Sequence, residues 1–215
     1  MKYQEFKAQV SHFPIITANH LQLLGFSGQT LKNQLTTWCK RGLVFRLRRG
    51  MYVLNPQDRR VHPSRIFLAN SLYSPSYVSL EWAFAYYGLI PEKVADVTSV
   101  AAKKTMAFSN EFGLFRYQHL KPSLFFGYQK KEDENSYPVL IAEPEKALLD
   151  FFYLESARFN KKNLQDIFEE SCRFQNVSGL RLQILKKYAA RFGQKKLEEI
   201  VKAFEVFVKR EETSI

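Results

Sequence analysis

The stretch that decides the fold runs from residue 27 to residue 54 and reads SGQTLKNQLTTWCKRGLVFRLRRGMYVL. Its first half has apolar residues at helical spacing, namely Leu31, Leu35 and Trp38. Ser27 can cap the N-terminus of a helix and Gly42 can end it, because serine accepts a backbone hydrogen bond and glycine adopts the left-handed conformation. The spacing therefore predicts one amphipathic helix in this half.

The second half of the stretch alternates with the period of a β-strand. One face would carry Leu43, Phe45 and Leu47, and the other Val44, Arg46 and Arg48. Arg49-Gly50 fits a hairpin turn, because glycine tolerates the positive φ that such turns require. Met51–Leu54 is then predicted to return as a second strand, which makes the segment a hairpin with a basic tip.

Two shorter helices are predicted upstream. Tyr3, Phe6 and Val10 form the apolar stripe of the first. Thr17 is a candidate N-cap for the second, which Gly25 would end. Three helices followed by a basic hairpin describe a winged helix-turn-helix, in which one helix enters the DNA major groove and the hairpin lies against the backbone or minor groove.

Most of the positive charge lies in this N-terminal part. The chain has 215 residues and a formal net charge of +11. Residues 1–64 hold ten lysines and arginines against two acidic residues, a balance of +8. Charge concentrated in this way indicates a small module that meets a polyanion, and we take nucleic acid as that polyanion.

The polar face of the long helix has side chains that can read DNA bases. No carboxylate occurs from Ser27 to Lys40. Gln29 and Asn33 can each pair with the edge of adenine, threonine can contact the thymine methyl group, and arginines of the hairpin can contact phosphates. The predicted DNA-binding residues are Gln29, Thr30, Lys32, Asn33, Thr36, Thr37, Lys40, Arg41, Arg46, Arg48 and Arg49. The alternative is a surface that touches only phosphates or another protein.

One such module reads only a short site. We therefore expect a monomer or weak homodimer that pairs on double-stranded DNA, at an operator formed by an inverted repeat.

The pattern changes after the hairpin. Two prolines and few apolar residues predict a linker over residues 57–64, between a winged helix-turn-helix domain over 1–56 and a C-terminal domain over 65–215. Candidate strands in the second domain cover residues 94–101, 112–119, 124–129 and 139–142, and the charged residues 129–138 are predicted to form a loop. Candidate helices cover residues 65–72, 80–88, 145–154, 162–174, 178–192 and 194–210. The predicted fold class is α+β, with a small mixed or antiparallel sheet and a helical tail in the C-terminal domain.

Motifs for catalysis are missing from the sequence. It has no Gly-rich phosphate loop, no His/Cys cluster with metal-ligand spacing and no nucleophile motif, so we expect a non-enzymatic protein without catalytic residues, metal or cofactor. Glu143, Glu145 and Lys146 are one candidate for a Mg²⁺-dependent nuclease centre. Their place before a helix favours capping and pairing with the helix dipole instead.

Compartment signals point to the cytoplasm. Cys39 and Cys172 lie far apart, as expected for reduced thiols. We identify no secretion signal and no apolar run that could cross a membrane.

The order of these motifs resembles the AbiEi-type antitoxins of type IV abortive-infection toxin–antitoxin systems and their related transcriptional regulators. The resemblance rests on TANHLQLLGFSGQTLKNQLTTWCKRGLVFRLRRGMYVL (17–54), PSYVSLEWAFAYYGLIPEKVADVTSVAAKK (75–104) and VLIAEPEKALLDFFYL (139–154). It implies an N-terminal DNA-binding domain that represses its own operon and a C-terminal domain that counteracts a nucleotidyltransferase-like toxin encoded separately. The alternatives are a solitary winged-helix transcription factor without a toxin and a protein-interaction module that does not bind DNA.

Overall fold

Helices come before a small sheet in the N-terminal part of the chain. The computed structural model describes residues 2–159 and 164–213. Its first elements are α1 (Tyr3–Val10), β1 (Ile16–Thr17), α2 (Ala18–Leu23), α3 (Gly28–Lys40), β2 (Val44–Arg48) and β3 (Met51–Leu54). The helices and the hairpin of the sequence analysis are confirmed, whereas the short strand β1 was not predicted.

The predicted capping and turn residues act as expected at some helix ends and not at others. Thr17 caps α2, because its Oγ1 accepts a hydrogen bond of 3.2 Å from the His20 backbone N–H. Gly25 takes a φ of +76° in the turn that follows α2. Ser27 stands at the N-cap of α3, but its side chain makes no capping hydrogen bond.

The hairpin contains a β-bulge that the sequence pattern did not predict. β2 and β3 pair antiparallel, and β1 lies on the other side of β3. Arg46 pairs with Tyr52 and Arg48 with Met51, so the register shifts between the two arginines. Because a bulge inserts one extra residue and twists the strand, side chains two apart in sequence no longer have to share a face. Gly50 closes the turn with a φ of +74°, as its predicted role requires.

The three-stranded sheet is apolar on both faces. One face packs on the three helices, in a core formed by Phe6, Val10, Ile16, Leu21, Leu31, Leu35, Trp38, Val44 and Leu54. The other face carries Ile15, Leu47, Met51 and Val53, which belong to the core of the rest of the chain. The amide of Asn110 also donates to the Leu47 carbonyl oxygen at 3.4 Å. The N-terminal part is therefore packed against the remainder of the chain.

The predicted linker contacts both the N-terminal part and the second part of the chain. Asp58 accepts hydrogen bonds from the Tyr3 hydroxyl at 2.7 Å and from the Lys7 ammonium at 2.5 Å. The guanidinium of Arg59 lies 5.1 Å from the ring centre of Phe112, in the second part of the chain. The domain boundaries at residues 56 and 64 stay a prediction, but the segment between them is fixed in position by these contacts.

A six-stranded mixed sheet forms the centre of the second part. Its elements are α4 (Arg65–Leu72), β4 (Ser76–Val78), α5 (Leu80–Tyr87), β5 (Val97–Ala101), β6 (Met106–Asn110), β7 (Gly113–His119), β8 (Tyr128–Glu132) and β9 (Pro138–Ala142). The strand order is β6-β7-β5-β4-β9-β8, with the pairs β4–β9 and β5–β7 parallel and the others antiparallel. The predicted α+β class with a mixed sheet is confirmed.

Two sequence predictions in this sheet were wrong. The strand predicted over 124–129 forms only at its end: a 3₁₀ turn covers Pro122–Leu124, and β8 begins at Tyr128. The predicted loop over 129–138 is instead mostly the hairpin of β8 and β9. Its turn is closed by Asp133, whose Oδ1 accepts hydrogen bonds from the backbone N–H groups of Asn135 and Tyr137. β8 lies at the edge of the sheet, where charged side chains reach water, and it therefore lacks the apolar alternation of an inner strand.

Helices complete the fold. They are α6 (Pro144–Leu154), α7 (Leu164–Asp166) with a π-helical turn at Ile167–Ser171, α8 (Leu182–Phe192) and α9 (Lys195–Thr213). Residues 162 and 163, where one predicted helix begins, lie outside the described residues. The helix predicted over 194–210 is confirmed as α9, which buries Leu197, Ile200, Val201, Phe204 and Val208 and leaves Val206 exposed. Among the described helices, none is long and apolar enough to span a membrane.

A buried polar cluster links α6 to β4. Lys146 and Asp150 are fully buried. The Lys146 ammonium donates to Asp150 Oδ1 in a short contact and to the Tyr77 hydroxyl at 2.7 Å. Asp150 Oδ2 accepts from the hydroxyls of Tyr77 at 3.0 Å and Ser79 at 2.8 Å. Because each buried charge is compensated, the cluster can hold the helix and the strand together without an unpaired ion.

Candidate nucleic-acid interface

The long helix α3 separates its apolar and polar residues as predicted. Leu31, Leu35 and Trp38 are buried against the other helices and the sheet. The exposed residues include Gln29, Thr30, Lys32, Asn33, Thr36, Thr37 and Lys40. The seven α3 residues predicted to bind DNA therefore lie at the surface of one helix.

The polar side chains of α3 bond to one another and to the helix backbone. The Gln29 amide nitrogen donates to Asn33 Oδ1 at 3.0 Å, which places the two side chains one turn apart on the same face. The amides retain a carbonyl oxygen and an amino group for a ligand. Thr36 and Thr37 donate their hydroxyl hydrogens to the backbone oxygens of Lys32 and Asn33. This leaves their methyl groups and oxygen lone pairs for contacts outside the helix.

The three arginines of the hairpin have different surroundings. Arg46 is exposed and lies near the C-terminal turn of α3. Burial raises the pKa of Cys39 in that turn, and the positive charge of Arg46 partly offsets the rise. Arg49 is exposed at the tip, beside Gly50. Arg46 and Arg49 are thus open to a ligand from solvent.

Arg48 is oriented differently. It is half-buried, and its Nη1 donates to the Arg49 carbonyl oxygen at 3.3 Å. Its buried Nε has no hydrogen-bond partner among the described residues. Burial raises the pKa of Tyr117 in β7, and the charge of Arg48 counteracts that rise, which places Arg48 near the second part of the chain. The sequence pattern put Arg48 on the same face as Arg46, and the bulge between them accounts for the difference in exposure.

The tip of the hairpin lies against the start of α2. The Ala18 backbone N–H donates to the Gly50 carbonyl oxygen at 3.1 Å, and Thr17 pairs with Met51. This contact holds the tip beside the two helices instead of letting it extend as a long loop. Arg49 is consequently fixed on the same part of the molecule as α2 and α3.

α3 and the hairpin carry no acidic side chain. The sequence has no carboxylate between Glu5 and Asp58. Glu5 accepts a hydrogen bond from the Lys2 backbone N–H, and Asp58 is paired with Lys7. Neither acidic residue belongs to α3 or the hairpin, so these two elements themselves present no negative side chain to a polyanion.

Sequence reasoning did not single out one exposed apolar residue at the end of α2. Leu23, at the end of α2, is 85% exposed, whereas Leu21 in the same helix is buried. In the sequence, the two leucines differ only in their position relative to the apolar stripe of the helix, which includes Leu21 and not Leu23. A leucine in this position can contact sugars or thymine methyl groups if DNA lies on α3.

The second candidate site, around Glu143, Glu145 and Lys146, is occupied by internal contacts. Lys146 belongs to the buried cluster with Asp150, and Glu145 is only 1% exposed. Both Glu145 oxygens accept hydrogen bonds from Arg181, at 2.8 to 3.0 Å. Glu143 stands at the N-cap of α6, but its carboxylate bonds to the side chains of Arg181 and Tyr188. Within residues 2–159 and 164–213 no group of three or more His, Cys, Asp or Glu is arranged to hold a metal ion.

Acid should destabilise the protein through Glu145 and Asp58. Burial acts to raise the pKa of Glu145, but the hydrogen bonds and charge of Arg181 outweigh it and hold this pKa below its usual 4.5. The hydrogen bond from Lys7 is the main reason that the pKa of Asp58 lies below its usual 3.8. Both carboxylates are more acidic in the folded chain, so the stability they contribute is present above these usual values and is lost as pH falls through the lower folded values. The temperature of unfolding should thus depend little on these groups above about pH 5 and fall below it.

A matched variant separates Glu145 from other acidic groups. Glu145→Gln keeps the shape of the side chain but cannot titrate, so its unfolding temperature should fall less steeply with acid than that of the wild type. An equally steep fall in the variant would show that Glu145 does not contribute to the acid sensitivity.

Comparison with known proteins does not assign a family. No protein-family model matches the sequence, and no curated protein matches it.

Proposed function

We propose that residues 2–54 form a winged helix-turn-helix that binds double-stranded DNA, and that the protein is a transcriptional regulator. The observation that carries this proposal is the exposed face of α3, which combines amides, hydroxyls and lysines with no carboxylate. A major groove about 12 Å wide admits an α-helix with such a face. The hairpin of β2 and β3 would be the wing.

The exposed groups suit two kinds of DNA contact. Gln29 and Asn33 would pair with base edges, at roughly 1 to 3 kcal/mol of discrimination for each good paired contact. Lys40, Arg41 and the two exposed arginines of the hairpin would contact phosphates, which anchor the protein without selecting a sequence. Affinity and selectivity then come from different residues of the same surface.

Selection of one site in a genome needs more than one such surface. We propose that the protein is a monomer or weak homodimer that pairs on an operator with an inverted repeat, and that it represses its own operon. Two copies of α3 would then read two half-sites about one helical turn apart. The measurement is a footprint on the DNA upstream of its gene, where two protected half-sites are expected.

The resemblance to AbiEi-type antitoxins supports a second role. We propose that the chain beyond residue 64 counteracts a nucleotidyltransferase-like toxin in the cytoplasm. The neighbouring open reading frame tests this role, because a co-transcribed gene with a nucleotidyltransferase signature would supply the toxin. Growth of cells that express both genes, compared with the neighbour alone, would show whether this chain neutralises it. Without such a neighbour, the proposal reduces to a solitary transcription factor.

DNA binding itself is tested by its dependence on salt. The full chain should bind a fluorescent duplex of its upstream DNA, with an affinity that falls linearly on a double logarithmic plot as salt rises. No binding even at low salt would overturn the proposal and favour a winged helix that docks on another protein.

Substitution of the hairpin arginines should separate Arg48 from its neighbours. Each phosphate contact contributes roughly 0.9 to the slope of log affinity against log salt. Arg46→Ala with Arg49→Ala should therefore lower the slope by roughly 2, because both side chains are exposed. Arg48→Ala with Arg49→Ala should lower it by only about 1, because Arg48 is half-buried toward Tyr117. Equal losses in the two double variants would show that Arg48 also contacts phosphate.

A further inference from the structure

A cavity lies outside the surface proposed for DNA. It has a volume of about 290 Å³, near the lower end of the roughly 300 to 1,000 Å³ that is typical of small-molecule sites. Its apolar lining consists of Phe84, Ile90, Val94, Phe151 and Phe174. α5 and α6 contribute two of these rings, so regular secondary structure forms part of the wall.

Charged groups of both signs line the same cavity. Glu92 is already paired with Arg173 at 2.7 Å. Arg158 donates from Nη2 to the backbone oxygen and hydroxyl of Ser171, and its guanidinium lies 5.9 Å from the ring centre of Phe151. These contacts hold the Arg158 guanidinium at the wall and leave its other N–H groups as donors.

Glu81 is the unpaired charge of the cavity. Its side chain is half-buried in the first turn of α5, where it also suits the helix dipole. No hydrogen bond or ion pair joins its carboxylate to another residue of the described chain. A second cavity of about 90 Å³ shares Glu81 and Phe151 with the first, so Glu81 lines both spaces.

Glu81 and Arg158 both act on one thiol. Cys172 lines the cavity, and burial raises its pKa to about 11. The positive charge of Arg158 lowers that pKa and the negative charge of Glu81 raises it. Glu81 and Arg158 are therefore both within electrostatic reach of Cys172, on the walls of a space lined by phenylalanine rings.

We propose that this cavity, the Glu81 cavity, binds a small amphoteric molecule with an amine, a carboxylate and an apolar body. The amine would pair with Glu81, the carboxylate with Arg158, and the apolar body would pack on the phenylalanine rings. An apolar ligand without an amine would displace water from the Glu81 carboxylate and leave the charge without a partner, which is unfavourable in free energy. An anionic ligand without an amine would meet the negative charge of Glu81. The apolar amino acids are the simplest molecules that satisfy all three requirements.

Calorimetric titration of the full chain tests the proposal with defined probes. L-phenylalanine, L-leucine and 6-aminohexanoate each carry both charges on an apolar body, and at least one should bind at millimolar concentration. Phenethylamine and 3-phenylpropionate each lack one charge of phenylalanine. If phenylalanine binds, each should bind about tenfold more weakly or worse, because a lost charge-assisted contact leaves a protein charge unpaired.

Two variants test whether Glu81 pairs with the amine of the probe and Arg158 with its carboxylate. Glu81→Gln should weaken a doubly charged probe about tenfold and leave any binding of 3-phenylpropionate unchanged or improved. Arg158→Met should weaken the same probe while sparing phenethylamine. Glu134→Gln, in an exposed turn, is the matched control and should have no effect. Circular dichroism of each variant would show that it is folded.

Two outcomes overturn the proposal. One is the absence of binding by all three doubly charged probes at millimolar concentration. The other is a probe that binds with the same affinity to wild type, Glu81→Gln and Arg158→Met, since such binding would not use these charges. Neither outcome affects the proposed DNA binding, which depends on α3 and the hairpin.

Discussion

Lys146→Met alone should lower the free energy of unfolding by about 3 to 5 kcal/mol. The substitution removes the ammonium that compensates Asp150, and both side chains are fully buried. The hydroxyls of Tyr77 and Ser79 would still donate to the Asp150 carboxylate, but hydroxyl groups do not cancel its charge. An uncompensated ion in the interior costs far more than a lost surface contact, so this is the largest stability effect that we expect.

The chain contains a matched control for this prediction. Glu205 and Lys209 form another pair four residues apart on a helix, but Lys209 is 63% exposed. Lys209→Met should change the free energy of unfolding by about 0.5 kcal/mol or less. Urea denaturation of the two variants compares one kind of pair in two environments. A loss no larger for Lys146→Met than for Lys209→Met would contradict a buried, charge-compensated pair.

A double substitution checks the physical reason. Lys146→Met combined with Asp150→Leu removes both charges and fills the space with apolar atoms. Replacement of a buried ion pair by apolar residues of similar volume is often neutral or stabilising, so much of the lost stability should return. A double variant that is less stable than Lys146→Met would show that the hydrogen bonds accepted by Asp150 stabilise the fold by more than its unpaired charge destabilises it.

Gln29→Ala with Asn33→Ala should remove most of the discrimination between operator and random DNA. Each amide is expected to contribute roughly 1 to 3 kcal/mol to the correct base pair. Because the two amides are hydrogen-bonded to each other, their single effects are not expected to add. Binding to random DNA should change little, since phosphate contacts dominate it.

The measurement is the ratio of affinities for the two DNAs at one salt concentration. Gln57→Ala removes an exposed amide outside α3 and the hairpin, and this control should leave the ratio unchanged. An equal loss on both DNAs in the double variant would exclude Gln29 and Asn33 from base reading and assign them to the backbone contacts. A retained ratio would place the base contacts elsewhere on α3.

Local sequence was sufficient for the helices and the hairpin of the N-terminal part, but not for the short strand β1. α3 was predicted because its buried residues recur with the helical period of 3.6, and the hairpin because apolar and polar residues alternate in its sequence and a glycine stands where the backbone must turn. Burial in β2 does not keep the period of two, because Val44 and Leu47 are buried on opposite faces of the sheet. The edge strands β6 and β8 were missed or misplaced. Their side chains are largely exposed or partly exposed, so no apolar period marks them, and their place follows from pairing with β7 and β9.

The charged residues show more clearly what the sequence alone could not predict. Lys146 follows two glutamates and looks in sequence like a surface or catalytic lysine, yet it is fully buried. Its partner Asp150 is one helical turn away, but burial depends on rings and strands far along the chain, such as Tyr77 in β4 and Phe126. Arg48 likewise differs from Arg46 only because a bulge turns it toward the second part of the chain.

The sequence by itself determined the helices, the basic hairpin and the carboxylate-free face of α3, because neighbouring residues set periodicity, turns and local charge. Tertiary structure decided which charges are available to a ligand. Exposure of Arg46 and Arg49, burial of Lys146 and Asp150, and the unpaired state of Glu81 beside a cavity all depend on segments distant in sequence. Desolvation and the pairing of charges are set by everything that surrounds a group in space, and no local pattern records them.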